Sequence, residues 1–138
     1  MFCNWELLNF KNDGVFYTDS NGLEMQGRKL NHRDSWALDT KQSVASNYYP
    51  VNSAIAIRDN NIQFTVMNDR AQGGSVLNDG SIELMQNRRM FDDDKRGVGE
   101  ALNEMNMMGV GIKVDVTYYM TIADLSQNQN SNQRHIQL

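Results

Sequence analysis

A chain of 138 residues with 13 Lys and Arg against 17 Asp and Glu, a formal charge of −4, has the size of one domain and excludes a dedicated nucleic-acid binder, whose phosphate contacts need clustered basic side chains. The sole cysteine, Cys3, closes no internal disulfide, which excludes a disulfide-stapled miniature scaffold and leaves the redox compartment open. The opening "MFCNWELLNF" carries Glu6 and lacks a basic n-region and a long apolar run, so no signal peptide is expected, and no window is apolar enough for a membrane span.

Several short runs alternate apolar and polar residues, the period of half-buried strands, and Pro50 alone interrupts the chain as a proline. "GVFYTDSNGLEMQ" reads as a hairpin: Val15 to Thr18 extended, a turn at Asp19-Ser20-Asn21-Gly22, where Asn and Gly tolerate positive φ, and a strand restarting at Leu23. "VNSAIAIRDNNIQFTVMND" repeats the scheme, with a strand from Val51 to Ile57 and a turn at Arg58-Asp59-Asn60-Asn61. After it, Ile62, Phe64 and Val66 share one face, and Gln63, Thr65 and Met67 the other. Gly73-Gly74 predicts a bend, Asn78-Asp79-Gly80 a turn, and Ser81 to about Arg89 a strand. "GEALNEMNMM" has helix-forming composition, but its neighbouring glycines make a short turn an equal reading, and Met105, Met107 and Met108 suit gap-filling better than soft-metal binding. In "GVGIKVDVTYYMTIA" the alternation puts Val110, Ile112, Val114, Val116 and Tyr118 on one face, with Ile112, Val114 and Val116 expected against a core. "SQNQNSNQRHIQL" is polar and aperiodic, a disordered or displaced tail. This is an all-β pattern.

Chemistry-bearing residues concentrate in "NRRMFDDDKRGVGEALNE", Asn87 to Glu104. A calcium loop starting at Asp92 fits at Asp94 and Gly97 but fails at Arg96, which offers no oxygen ligand, and at Asn103, where a bidentate carboxylate is required. Asp92, Asp93 and Asp94 are sequential and point in different directions, so they cannot face each other across a substrate as an acid and a base. Three adjacent carboxylates repel one another, so they are expected to stay solvated or to pair with Arg88, Arg89, Lys95 or Arg96. His32 and His135 lack partner ligands and read as surface residues, Cys3 has no nucleophile motif, and Gly97-Val98-Gly99 matches no phosphate-cradling signature. The local reading is a charged, solvated connection.

Taken together, "FYTDSNGLEMQGR", "NYYPVNSAIAIRD", "TVMNDRAQGGSVLNDGSIELMQNRR" and "DDDKRGVGEALNE" resemble the C-terminal β region of glycoside hydrolase family 38, the class II α-mannosidases, and are similar above all to its lysosomal members. The resemblance runs from about Gly14 to Glu104 and continues more weakly through Val110 to Ala123. It implies an antiparallel β-sandwich, part of the large C-terminal sandwich of such enzymes. Residues 14–125 are then the sandwich portion, 1–13 an unmatched N-terminal segment and 126–138 a polar tail.

The resemblance also implies a longer parent enzyme whose N-terminal barrel carries zinc and a nucleophilic Asp. That parent hydrolyses terminal α-linked mannose with retention: a carboxylate attacks the sugar and a second acid donates, then removes, a proton. The expected cofactor is none in this chain, with zinc in the barrel; the expected partners are that barrel and a mannose-containing glycan. Neither nucleic acid nor membrane is expected. By resemblance the location is lysosomal or the lumen of the secretory pathway. The Asp92 to Glu100 loop is expected to approach the barrel's pocket, with Arg96 as substrate-pocket neighbour through its side chain or carbonyl. Asp93 and Asp94 would shape that loop by pairing with arginines, and Gly97 by permitting a tight backbone. Asn47, Tyr48 and Tyr49 would pack between domains. A truncated gene or a fragment would account for both ends, and exposed strand edges would then favour self-association. The alternative is a stand-alone carbohydrate-binding or interaction module in which Trp5, Trp36, Tyr48 or Tyr49 stacks on sugar rings.

Overall fold

Turn chemistry and period-2 runs yield nine strands in the computed structural model, which describes residues 2–97 and 99–125. They are β1 (Phe2–Glu6), β2 (Val15–Ser20), β3 (Glu24–Lys29), β4 (Tyr49–Val51), β5 (Ala54–Arg58), β6 (Ile62–Asn68), β7 (Gln72–Asn78), β8 (Ser81–Met85) and β9 (Tyr118–Asp124). One antiparallel sheet has the order β1-β8-β7-β4 and the other β3-β2-β5-β6-β9, and they pack as a sandwich. Among the described residues no helix is long and apolar enough to cross a membrane. The 126–138 tail, His135 and Val98 lie outside the described residues.

Both predicted hairpins form. At the first, Asn21 (φ 51°) and Gly22 (φ 70°) give the doubly left-handed turn that matches the twist of adjoining strands, closed by Leu23 N–H donating to the Ser20 carbonyl at 2.9 Å. At the second, Asp59 Oδ1 accepts the N–H groups of Asn61 and Ile62, each at 2.7 Å. The pairing of Ile55 with Val66 and Ile57 with Phe64 places four apolar side chains on one face, which with Phe16, Val51, Val76, Ile82 and Leu84 fills the space between the sheets.

The strand predicted over Val51 to Ile57 is instead two strands in different sheets, split at Asn52-Ser53. Leaving one sheet for the other strands backbone groups, and two distant side chains satisfy them. Asp19 Oδ1 accepts Ser53 N–H at 2.8 Å and Ala54 N–H at 2.9 Å; Asn68 Nδ2 donates to the Val51 carbonyl at 3.1 Å. Likewise Gly73-Gly74 does not bend the chain but lies inside β7, paired with Pro50 and Tyr49. A Cβ on Gly74 would stand 2.7 Å from Val51 Cγ2, 2.8 Å from Leu84 Cδ2 and 3.2 Å from Ile55 Cδ1, so the missing side chain lets the sheets approach.

Two other strands are shorter than their alternation suggested. β8 stops at Met85 rather than near Arg89, and β9 starts only at Tyr118. Ile112 (53 % exposed) and Val114 (48 % exposed) therefore meet no core, because the segment before Tyr118 crosses from one sheet to the other without pairing along either. Met120 and Ile122 pair with Val66 and Phe64, on the core-facing side of β9, yet remain exposed: the five-stranded sheet overhangs the four-stranded one.

Candidate functional site

The acidic loop belongs to the long excursion that leaves β8 and returns at β9, and its base is clamped. Asp69 holds Arg70 at 2.9 Å and accepts Thr117 N–H at 3.0 Å, while Arg70 Nη2 donates to the Asp115 carbonyl at 2.7 Å. Hydrogen bonding to Arg70, then to Thr117 N–H, keeps the Asp69 carboxyl below its ordinary range. Gln72 Nε2 donates to the Tyr118 hydroxyl at 2.8 Å, tying the end of the excursion to β7.

Above this base lies a neck. Met90 N–H donates to the Leu102 carbonyl at 2.9 Å, and Arg89 Nε donates to Asn103 Oδ1 at 2.6 Å. The Arg89 guanidinium also stands 5.0 Å over the Phe91 ring, and a Cβ on Gly111 would come 3.3 Å from its Nη1. At the tip, Asp93 Oδ2 accepts Lys95 N–H at 2.9 Å and Asp94 Oδ1 accepts Arg96 N–H at 3.0 Å. These successive Asx turns, with Lys95 at φ 59°, replace the expected acid–arginine pairs: a side chain reaching its own backbone two residues on needs no distant partner. The positive φ falls at Lys95 and Gly99, not at Gly97, whose added Cβ would meet nothing within 4 Å.

The loop thus brings Asp93, Asp94, Arg96 and Gly97 into one turn, with Asp93 half-buried and the other three exposed. Among the described residues the Arg96 guanidinium has no carboxylate within salt-bridge distance; its backbone N–H is the group the tip engages. Among the described residues such a turn offers two cations without an ion-pair partner, Lys95 and Arg96. It holds no facing pair of carboxylates, and among the described residues no three His, Cys, Asp or Glu side chains converge as metal ligands.

The aromatic residues considered as a sugar platform are dispersed. Trp5 packs edge-on against Tyr118 with centroids 5.0 Å apart, and Trp36 is exposed. Tyr49 packs edge-on against Phe16 at 5.6 Å and carries the Arg28 and Arg33 guanidiniums over its ring. Asn47 is a buried hub within this domain, accepting Asn31 N–H at 2.8 Å and donating to Asn31 Oδ1 and the Ser43 carbonyl. Sequence reasoning missed both the Asp69–Arg70 clamp and the arginines around Tyr49, since neither has a spacing signature.

A family model described as the C-terminal domain of glycosyl hydrolases family 38 matches residues 7–96. The lysosomal alpha-mannosidase of Felis catus is 60 % identical over 91 residues, covering 66 % of this chain and 9 % of the relative. That of Mus musculus is 47 % identical over 116 residues, 84 % of this chain and 11 % of the relative. An alpha-mannosidase of Canavalia ensiformis is 44 % identical over 112 residues, 78 % and 11 % respectively. The chain therefore spans about a tenth of the length of these curated relatives.

Proposed function

The chain belongs to glycosyl hydrolase family 38, within its C-terminal domain, and from that premise we propose that it serves as a structural portion of an α-mannosidase, presenting the Asp92 to Glu100 loop to a substrate pocket built elsewhere in a longer protein. The observation that carries this reading is the loop's construction. It is fixed at base and neck, Asp93 and Asp94 accept N–H groups of their own turn, and among the described residues the Arg96 guanidinium has no carboxylate partner at the tip. A guanidinium or carbonyl at such a point can hold sugar hydroxyls by hydrogen bonds without taking part in bond breaking.

Catalysis, retaining in this reading, falls to the N-terminal catalytic portion, acting on a terminal α-linked mannose of a glycan. In this reading zinc belongs to that portion too, as the family's resemblance implies. The relatives' names support a lysosomal or secretory-lumen location. The overhang at Met120 and Ile122, beside the edges β1 and β9, is the seam for neighbouring structure, and in isolation a place for self-association.

The test is Arg96→Ala in the longer protein that contains this domain. Losing a charge-assisted hydrogen bond to substrate, of about 1.5–3 kcal/mol, should lower kcat/KM on an aryl α-mannoside by about 10- to 100-fold with Tm unchanged. An unaltered kcat/KM would remove Arg96 from the pocket.

A further inference from the structure

A second basic feature lies on the opposite edge of the sandwich from the acidic loop. β3, the start of β2, β4 and the 31–35 loop border a half-open cavity of about 500 Å³, lined by Tyr17, Arg28, Lys29, His32, Arg33 and Tyr49 among others. We propose that this cavity binds a phosphoryl group, held by Arg28 and Arg33. The inference is independent of the reading given for the acidic loop.

Three observations carry it. First, both guanidiniums line this pocket and stand over one ring. The Arg28 Cζ lies 4.5 Å and the Arg33 Cζ 4.7 Å from the centre of the Tyr49 ring, so the cations stand at most about 9 Å apart, the two distances together. Second, neutral groups hold both in place. Arg28 donates through Nε to Thr18 Oγ1 at 3.1 Å and through Nη2 to Gln26 Oε1 at 2.7 Å; Arg33 donates to the His32 carbonyl at 2.7 Å and to the Ser46 carbonyl. Among the described residues neither has a carboxylate within salt-bridge distance, and the cavity's own acid, Asp34, is engaged 3.0 Å away with His32. Third, the charges do not balance. Arg28, Lys29 and Arg33 face a single Asp34 within a chain whose formal charge is −4, so this excess of cations runs against the overall charge.

Holding like charges close together is unfavourable unless something anionic accompanies them. Stacking on Tyr49 orients each guanidinium, and beside the hydrogen bonds just named Arg28 keeps its Nη1 and Arg33 its Nε N–H groups to meet an oxyanion. A surplus of two positive charges matches a phosphoryl group, which carries about −1.5 to −2 at neutral pH, better than a single carboxylate. Pre-aimed N–H donors on two separate arginines suit its several acceptor oxygens. The same chemistry arises from free phosphate and from a phosphorylated sugar.

The test is a titration of the 138-residue chain with sodium phosphate at constant ionic strength, following backbone amide resonances, with sodium chloride as reference. The expected result is a saturable shift confined to residues 27–35 and Tyr49, weakened at least about tenfold in Arg33→Gln and preserved in Lys113→Gln. Arg33→Gln is the primary variant because its guanidinium bonds only backbone carbonyls, those of His32 and Ser46, and no side chain of a strand; Arg28→Gln is the second. A parallel arm with a hexose monophosphate separates the sources: tighter binding assigns the site to a phosphorylated sugar, and equal binding to free phosphate. Shifts that match chloride, or a folded Arg33→Gln that titrates like the parent, would overturn the proposal.

Discussion

Gly80→Val is expected to remove about 3 kcal/mol or more of folding stability, a large part of the 5–15 kcal/mol that holds a typical domain together. Gly80 has φ 74°, which a β-branched residue adopts only at a cost of about 1–3 kcal/mol. Space is a further constraint, since a Cβ there would lie 2.6 Å from the Leu7 carbonyl oxygen, 3.1 Å from Phe10 Cβ and 3.3 Å from the Phe10 carbonyl oxygen. Two of those neighbours are backbone and cannot rotate aside. Moving them would also disturb two hydrogen bonds that clip the β7–β8 turn to the preceding loop, Leu7 N–H to the Gly80 carbonyl at 2.9 Å and Gly80 N–H to Asn12 Oδ1 at 2.8 Å. Gly97→Val is the control: with open space around its Cβ and no positive φ, it should shift stability by less than about 0.5 kcal/mol. Urea melts of both variants decide this, and equal midpoints would show that Gly80 is not where the sandwich is pinned.

Asp19→Ala should cost about 3 kcal/mol for a different reason. Its buried carboxylate accepts three backbone N–H groups: Gly22 at 2.8 Å on Oδ2, and Ser53 and Ala54 on Oδ1. Truncation leaves those donors without their acceptor at the point where the chain changes sheets, and each buried unsatisfied donor costs about 1–3 kcal/mol. The same bonds set a pH dependence. Burial raises the Asp19 pKa, but the N–H groups of Ser53, Ala54 and Gly22 together outweigh it and hold the carboxyl below its ordinary value of 3.8. A depressed folded-state pKa means stability is fully present above the unfolded carboxyl's pKa and lost as pH falls through the folded one. Urea midpoints should therefore stay level from neutral pH down to about 4 and decline below it. Asp19→Asn should flatten part of that decline, with exposed Asp69 contributing a smaller slope of the same sign. A decline equally steep in Asp19→Asn would place the acid sensitivity elsewhere.

The parts of the fold legible in the sequence are those whose causes are local. Asn21-Gly22 and Asp59-Asn60-Asn61 announce their turns because the turn conformations are satisfied by the turn residues themselves. The split after Val51 was invisible because its causes, Asp19 and Asn68, lie far along the chain from the apolar run they interrupt. Alternation at Val110 to Val116 misled because a period of 2 states which side chains share a face, not whether a second layer exists to cover it. Gly73-Gly74 misled because glycine marks close approach as readily as a bend. At the candidate site, the sequential aspartates already argued for a solvated turn, and the resemblance pointed to Arg96. The Asx turns that leave Arg96 unengaged, and the clamp from Asp69 and Arg70, needed coordinates.

Rigorously purified 138-residue protein, assayed on an aryl α-mannoside with and without added zinc, tests most directly whether this domain supports rather than performs catalysis. No turnover is predicted under either condition, because this account assigns the nucleophile and the zinc to the N-terminal catalytic portion of the longer protein. Zinc-dependent hydrolysis that disappears in Arg96→Ala would contradict that account.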